Sequence, residues 1–275
     1  MLGYDREGLE DRQATVPVFD GVAATYDADF TDRRLGRHLR SSVWRVLART
    51  WEAGDHVLDL GCGTGEDAVW MAERGIRVAA TDASGAMLEV ARTKVAASLL
   101  TSRVSLTSLD LARPLGQKAL SGPFDGALSN FGALNCVDDL RPLGAWLSPR
   151  LRPGAKLVLV LIGRFCPWEI ATFALRGRLP SALRRFRGRR PARVAQGSLP
   201  VSYPSPGRLL RELGPDFRAR SHRGIGWLLP PSDLADLVDR YPRLFDALAR
   251  WDSRFGASLP ARWTCDHWIL EVERL

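Results

Sequence analysis

Short, largely apolar segments recur along the chain, separated by longer segments whose apolar residues follow a helical period. Each apolar segment is bounded by glycine, proline or polar residues, which is typical of a buried strand. Strands that alternate with helices predict a parallel sheet covered by helices on both faces. The strands predicted in this alternating part are 56–60, 76–81, 103–109, 124–129 and 156–162.

The segments of helical period predict two helices before the first strand and further helices between most of the strands. The C-terminal third is less regular. It predicts a short helix, a sixth strand, a long helical stretch and a last strand. The predicted helices are 16–29, 34–51, 66–74, 85–97 and 138–151, and the C-terminal elements are 205–213, 219–229, 231–255 and 264–272.

Composition places the chain among folded globular proteins. It has 275 residues, 45% hydrophobic and 25% charged, which excludes a disordered or collagen-like protein. The longest aliphatic run, 157–162, is far shorter than the roughly 20 residues of a membrane-spanning helix. The charged N-terminus argues against a secretory signal. The four dispersed cysteines form no CxxC pair, so we expect no disulfide framework, no metal site and a cytoplasmic location.

Positive charge is concentrated in one segment. The net charge is +8, yet 170–211 alone holds ten arginines and no acidic residue, which leaves −2 for the remainder. Such a segment fits a solvated loop, contact with an anionic membrane surface, an acidic substrate or nucleic acid. No recognised RNA-binding module accompanies it, so we expect no specific nucleic-acid partner.

A glycine cluster follows the first predicted strand, in the order Asp59-x-Gly61-x-Gly63-x-Gly65. Glycine permits a positive φ and lets a ligand touch the main chain. A dinucleotide site would need G-x-G-x-x-G and a pyrophosphate at the helix start. Here Glu66 takes the sixth position, and the carboxylates at this helix start would repel a diphosphate. They favour a ligand that is neutral or cationic.

The glycine pattern resembles the cofactor loop of class I S-adenosylmethionine-dependent methyltransferases. That resemblance implies a Rossmann-like fold, with a seven-stranded, mostly parallel sheet, and S-adenosyl-L-methionine as cofactor. It implies that Asp59 meets the ligand's ammonium group and that Asp82, which ends the second strand, binds the ribose hydroxyls. Met87 would pack on the adenine, and Asp110 would bind the adenine amino group. The further cofactor-binding residues expected are Gly61, Cys62, Gly63, Gly65, Ala83, Leu111, Ser129 and Asn130.

A narrower resemblance lies at the N-terminus. Residues 19–27 are similar to the FDxVAxxYD opening of the ubiquinone/menaquinone-biosynthesis methyltransferases. In that group the tyrosine helps to close the cofactor pocket, which implies that role for Tyr26. The likeness covers the first 160 residues and fades beyond residue 163, so it does not carry the quinone substrate with it.

The poorly matched segments predict a cap over the ligand edge of a single domain. We expect lid helices in 1–52, the cofactor-binding core in 53–162, and cap insertions at 163–204 and 230–262. The insertions are rich in aromatic residues, as pockets for apolar or aromatic small molecules are. The substrate-binding residues expected are Phe131, Trp168, Tyr203 and Trp227.

The implied reaction is an in-line methyl displacement, catalysed mainly by alignment of the reacting groups. A phenol acceptor would gain from a general base, for which the sequence offers only weak candidates: His267, Tyr203 and Asp138. Two alternatives stay open at this point. The chain could methylate RNA through the arginine-rich segment, or bind S-adenosylmethionine without catalysis.

Overall fold

One sheet of seven strands forms the centre of the computed structural model, which describes residues 15–116, 120, 122–178, 182, 184–187, 190–194 and 197–275. The strands in this sheet are β1 His56–Leu60, β2 Arg77–Asp82, β3 Val104–Ser108, β4 Phe124–Ser129, β5 Leu151–Ile162, β8 Phe217–Ile225 and β9 His267–Arg274. They lie in the order β3-β2-β1-β4-β5-β9-β8. The first five pair in parallel, and β9 is antiparallel to both of its neighbours. The expected seven-stranded, mostly parallel sheet is confirmed. A separate antiparallel hairpin joins β6 Arg190–Val194 and β7 Gly197–Val201.

Helices cover both faces of the sheet, because its central strands are apolar on both sides. On β1, Val57 faces one cluster of buried side chains and Leu58 faces the other; Val158 and Leu157 of β5 divide in the same way. The helices are α1 Thr15–Val22, α2 Arg34–Thr50, α3 Glu66–Glu73, α4 Gly85–Ala97, α5 Arg141–Leu147, α6 Pro167–Leu175, α7 Pro206–Leu213, α8 Ala235–Arg240, α9 Pro242–Phe255 and α10 Leu259–Trp263. None of the helices in the described part of the chain has the length and apolar character needed to cross a membrane.

Two predicted helices are shorter than their sequence pattern indicates. The first ends at Val22, and the chain then forms a wider π turn over Asp27–Thr31. Tertiary hydrogen bonds of the Asp27 carboxylate hold that turn. The helix predicted over 138–151 is only Arg141–Leu147, because Pro149 has no N–H to continue the helical pattern. The next strand, β5, therefore begins at Leu151.

The sixth strand also ends earlier than predicted, at Ile225. The backbone N–H groups of Gly226 and Leu228 donate to the Asp252 carboxylate at 2.9 and 2.8 Å, and not to a neighbouring strand. The chain leaves the sheet there and enters the segment that carries α8 and α9. These two helices pack their apolar residues against Leu35 and Leu39 of α2.

Part of the arginine-rich segment is built into the protein interior. Arg185 is only 7% exposed. Its guanidinium donates to Glu169 at 2.5 and 2.9 Å and to Asp266 at 2.9 Å. Burial alone would raise the pKa of Asp266, but the neighbouring His267 and Arg185 outweigh it and hold that pKa well below its usual range. At this position the segment is a structural strut between the 163–204 insertion and β9, and not a solvated loop.

Candidate functional site

A cavity lies at the carboxyl edge of β1, β2, β3 and β4, where ligands of open α/β sheets bind. Most of its wall comes from the turns that follow these four strands. The remainder comes from α1 and the turn after it, which close the cavity from above. The wall consists of Gly61, Gly63, Asp82, Ala83, Ser84, Met87, Leu109, Asp110, Leu111, Ala112, Asn130, Phe131, Gly132, Ala133, Cys136 and Val137, together with Thr15, Val16, Phe19 and Tyr26.

The glycine loop presents main chain to this cavity. Gly61 and Gly63 have φ values of +77° and +53°, in the left-handed region that glycine adopts without strain. A Cβ on Gly61 would lie 2.4 Å from the Cβ of Ala133, so the loop packs directly on the turn after β4. At Gly63, by contrast, no described atom lies within 4 Å of the Cβ position. Gly63 therefore borders open space within the cavity.

Replacing Gly63 with alanine tests that space. We expect the variant to fold, at a cost of about 1–2 kcal/mol for the left-handed conformation. We expect it to bind S-adenosylmethionine at least about tenfold more weakly, because about 1.4 kcal/mol of steric conflict produces that loss. Isothermal titration calorimetry measures the affinity. Gly154→Ala is the matched control: φ is +81° and no described atom lies within 4 Å, but Gly154 is outside the cavity wall. Equal cofactor affinity in the two variants would contradict the assignment of Gly63 to the cofactor site.

Asp82 fixes the shape of the loop from the end of β2. One carboxylate oxygen accepts the Gly63 N–H at 2.8 Å, and the other accepts the Ser84 N–H at 2.9 Å. Burial raises the pKa of the Asp82 carboxyl, although these N–H donors act in the opposite direction. The side chain lines the cavity, as its predicted role on a ribose requires.

Asp59 occupies a different position from the one expected. Its carboxyl is 1% exposed and does not line the cavity. Within the described residues, its Oδ2 has no hydrogen-bond partner. Burial, reinforced by Asp67 and Asp82, raises its pKa well above the usual range. Any contact with a ligand ammonium group therefore has to be indirect, or it needs a shift of the loop.

The two acidic residues of the N-terminal motif attach α1 and the turn after it to the turns that follow β1 and β2. Asp20 accepts the Ser84 hydroxyl at 2.5 Å, next to the start of α4. Asp27 accepts the Thr64 hydroxyl at 2.7 Å and forms an ion pair with Lys94 at 2.7 Å. The lid is thus held at two separate points around the cavity. The sequence reasoning assigned no role to these carboxylates.

Tyr26 lies in the cavity wall, in the turn after α1, and packs with Met87. Its ring centroid is 5.9 Å from that of Phe30. Burial raises the pKa of its hydroxyl, against the opposing effect of Arg40. Tyr26 is therefore a protonated, apolar part of the wall at neutral pH, and not a base.

A buried polar network holds the turn after β4. The Asp67 carboxylate accepts hydrogen bonds from Arg40 at 2.6 Å, from Trp44 at 2.7 Å and from Asn130 at 2.8 Å. The Asn130 side-chain oxygen in turn accepts the Phe131 N–H at 2.9 Å. Phe131 has φ +45°, which is unusual for a residue with a side chain, and its ring lines the cavity. The Arg40 guanidinium lies 5.0 Å from the centroid of that ring.

This network also changes the interpretation of the carboxylates at the start of α3. Asp67 is neutralised by Arg40, and Glu66 forms an ion pair with Lys94 at 2.8 Å. Neither carboxylate lines the cavity. Both charges are compensated, so the helix start repels an anion less than the sequence pattern indicates.

The remaining cofactor candidates support the cavity from outside its wall. The Ser129 hydroxyl donates a hydrogen bond to the Leu60 carbonyl at 3.0 Å, just before the glycine loop. Gly65, with φ +78°, begins α3 at close range to Ala91. Burial raises the pKa of the Cys62 thiol, which packs against the apolar cluster behind β1. Of the predicted cofactor residues, those that line the cavity are Tyr26, Gly61, Gly63, Asp82, Ala83, Met87, Asp110, Leu111 and Asn130.

Of the four predicted substrate residues, only Phe131 lines this cavity. Trp168 packs on Phe245 of α9, with ring centroids 6.3 Å apart. Trp227 packs against the larger core cluster, and Tyr203 packs against the lid residues Val18 and Phe19. These aromatic side chains therefore pack against other parts of the protein, and the structure does not bring them to the cavity.

The weak base candidates lie outside the wall as well. His267 is buried at the start of β9, with its ring centroid 5.5 Å from that of Phe131 and its Nδ1 3.1 Å from Asp266. The main-chain carbonyl of Asp138 accepts a hydrogen bond at 3.3 Å from the side chain of Arg208, in the first turn of α7. The structure places neither side chain, nor that of Tyr203, at the cavity surface.

Half of the wall escaped the sequence reasoning. These residues lie in the turns after β2, β3 and β4 or on α1, and they are mostly small or apolar. Their position at strand ends is the one local signal that could have identified them. The residues are Thr15, Val16, Phe19, Ser84, Leu109, Ala112, Gly132, Ala133, Cys136 and Val137.

Two titratable side chains of the described wall are held in their protonated form. Burial raises the pKa of the Cys136 thiol to about 12, and Tyr26 is also held protonated. The Asp82 carboxylate accepts a hydrogen bond from the Gly63 N–H. The Asp110 carboxylate accepts one from the Ala112 N–H at 2.9 Å. The site is equipped to bind and orient a ligand.

Comparison with known proteins agrees with this arrangement. Residues 57–154 match the family described as a methyltransferase domain. The chain is 32% identical over 145 residues to the demethylmenaquinone methyltransferase of Clavibacter sepedonicus, an alignment that covers 52% of this chain and 55% of that protein. It is 30% identical over 162 residues to the 2-phytyl-1,4-naphtoquinone methyltransferase of a Nostoc species, covering 57% and 68%. The first of these alignments thus spans little more than half of the relative.

Solved structures show the same fold at lower sequence identity. The S-adenosylmethionine-dependent methyltransferase from Mesorhizobium loti superposes with a TM-score of 0.53 at 18% identity. That superposition covers 85% of this chain and 98% of the other. At this identity the likeness concerns the fold alone.

Proposed function

This chain belongs to the class I S-adenosylmethionine-dependent methyltransferases, and from that membership we propose that it transfers a methyl group to a small, apolar or aromatic molecule. One observation carries the proposal: the main chain of Gly61 and Gly63 borders a cavity at the carboxyl edge of the sheet, beside the carboxylate of Asp82. A lid docked through Asp20 and Asp27 covers it.

The residues present fit the cofactor. Open space at Gly63 admits a ligand against the main chain, and the Asp82 carboxylate can accept hydrogen bonds from sugar hydroxyls. Met87 and Leu111 offer apolar surface to a purine, with Asp110 beside them as an acceptor for an exocyclic amino group. When bound, S-adenosylmethionine supplies a methyl group on a positively charged sulfur.

The chain's own contribution is binding, orientation and exclusion of water. The network of Asp67 and Asn130 fixes the Phe131 ring at the end of β4, next to the glycine loop. Tyr26 and Phe19 close the same space from the lid. Holding an acceptor in line with a methyl group lowers the barrier by alignment, with effective molarities of roughly 10⁵–10⁸ M in well-oriented model reactions. Catalysis by alignment is therefore the mechanism that this wall supports.

The acceptor proposed is apolar or aromatic because the wall around Phe131 is apolar. Leu109, Cys136 and Val137 continue that surface from the ends of β3 and β4. Two relatives are named for methylation of a menaquinone precursor and of a phytyl naphtoquinone. We propose a substrate with a fused or single aromatic ring, in which the acceptor atom is a ring carbon or a ring hydroxyl. The cytoplasmic location stays a prediction.

The test is a methyl-transfer assay with labelled S-adenosylmethionine against naphthoquinols, simple phenols, amines and carboxylic acids. We expect turnover with quinols or phenols and none with the amines or acids. Phe131→Ala, which removes one apolar wall, is expected to raise the acceptor KM by at least about tenfold, since burial of a phenylalanine is worth roughly 1.5–3 kcal/mol. Cofactor binding without turnover on any aromatic acceptor would refute the proposal and favour a non-catalytic binding protein. Methylation of RNA instead would assign the function to the arginine-rich segment.

A further inference from the structure

Helix α9 exposes a line of large apolar side chains on the side that faces away from the core. Leu244, Trp251 and Phe255 are spaced seven and four residues apart, which places them on one helix face. Leu244 is 55% exposed and Trp251 60% exposed, and the rings of Trp251 and Phe255 are 5.6 Å apart. The adjacent side of the helix, about 100° around its axis, carries Phe245 into the core. The packing of the protein core therefore does not explain why the exposed face of α9 is apolar.

Helix α10 continues this surface. Leu259 and Trp263 are 72% and 58% exposed. The turn between the two helices is short and holds one backbone hydrogen bond, from the Ser258 N–H to the Phe255 carbonyl at 2.8 Å. We name the outward side chains of Leu244, Trp251, Phe255, Leu259 and Trp263 the aromatic face.

The charges around the aromatic face are of one sign. Arg243, Arg250 and Arg254 are exposed on α9, each next to a residue of the apolar line. Only two carboxylates belong to the same helix, and both are engaged elsewhere. Asp246 pairs with Arg34 and His38 of α2, and Asp252 is buried against the turn after β8. A surface that contacts the aromatic face therefore meets positive charge.

We propose that the aromatic face docks this protein on an anionic lipid surface. Tryptophan and phenylalanine side chains enter the headgroup region of the lipid. The flanking arginines stay at the phosphates, because the apolar part of an arginine side chain lies along the lipid while its charged end remains hydrated. The exposed side of a helix is convex, which suits a deformable lipid surface. A second copy of the chain fits less well, since a two-fold contact would place these arginines opposite one another. This docking concerns binding alone and does not depend on methyl transfer.

The surface is distinct from the arginine-rich segment, for which membrane contact is one of the options that the sequence leaves open. Arg185, in the middle of that segment, forms internal ion pairs with Glu169 and Asp266, so its charge does not face a membrane. That segment nevertheless has its own exposed apolar residue, Leu175 at the end of α6, which is 89% exposed. Leu175 therefore provides a matched control in a second basic region.

The experiment measures co-sedimentation of the whole chain with vesicles of phosphatidylglycerol, with phosphatidylcholine vesicles as the uncharged reference. We expect binding to the anionic vesicles that weakens as salt is added. Trp251→Ser with Phe255→Ser should weaken it by at least about tenfold, from the loss of buried apolar surface. Arg250→Gln with Arg254→Gln should weaken it roughly 30-fold. Leu175→Ser should bind like the unaltered chain, and thermal unfolding would show that all variants are folded.

Three results would overturn the proposal. The first is equal binding of the unaltered chain to anionic and uncharged vesicles. The second is loss of binding in the Leu175 variant while the Trp251 and Phe255 variant keeps it. The third is a dimer, seen by sedimentation velocity without lipid, that the Trp251 and Phe255 substitutions dissociate; this result would assign the aromatic face to contact between copies.

Discussion

Asp67→Ala is expected to lower the free energy of unfolding by about 3–5 kcal/mol, the usual result of removing one partner of a buried ion pair. Arg40 and Asp67 are each 6% exposed, and the carboxylate also accepts Trp44 and Asn130. Its removal leaves a buried cation without its counterion and two buried donors without an acceptor. Urea unfolding followed by tryptophan fluorescence measures the loss.

Two further variants separate this explanation from a general loss of packing. Asp246→Ala removes a carboxylate that bonds Arg34 and His38 near the surface, and it should cost much less. Adding Arg40→Met to Asp67→Ala removes the unpaired charge and should recover part of the lost stability. If the Asp67 variant were no less stable than the Asp246 variant, the buried network would not contribute the stability assigned to it.

Asp82→Ala is expected to weaken S-adenosylmethionine binding by roughly 1–3 kcal/mol, or about 5–150-fold, through lost charge-assisted hydrogen bonds. The structure adds a second route to the same result. Without the carboxylate, the N–H groups of Gly63 and Ser84 lose their acceptor and the loop loses its fixed shape. Equilibrium dialysis with labelled cofactor measures the affinity.

The control for Asp82 is a carboxylate that makes a similar bond at the opposite edge of the sheet. Asp125 accepts the His56 N–H at 2.8 Å, at the beginning of β1. Asp125→Ala should therefore reduce stability and leave cofactor affinity unchanged. If both variants bound equally well, the ribose role of Asp82 would be wrong. If both bound equally poorly, the effect would come from stability and not from the site.

Local patterns were sufficient for several of the strands and for the cofactor loop, but not for the start of β5, the end of β8 or the β6–β7 hairpin. The strand over His56–Leu60, the strand over Phe124–Ser129 and the helix over Gly85–Ala97 were predicted with the bounds that the structure has. Each is bounded by glycine, proline or a polar residue within a few positions. Helix ends that depend on tertiary contacts were not predictable in this way, as the early end of α1 at Val22 shows.

The cofactor side of the cavity was easier to predict than the substrate side. Gly61 and Gly63 come just after β1 and Asp82 is the last residue of β2, so chain order alone places them at one sheet edge. The aromatic residues of the insertions carry no such constraint. Tyr203 is buried and Trp168 packs against a buried cluster, because an insertion must first cover its own apolar surface.

The sequence by itself determined the alternation of strands and helices, the left-handed glycine turn and membership of a methyltransferase family. These depend on residues close together in the chain, where backbone preference and hydrophobic period decide the outcome. Only the tertiary structure decided that Asp20 and Asp27 fasten the lid and that Arg185 is an internal strut, because their partners lie far away in sequence. It also decided which apolar residues remain outside. Trp251 and Phe245 are both apolar residues of one helix, and only packing against α2 assigns one to solvent and the other to the core.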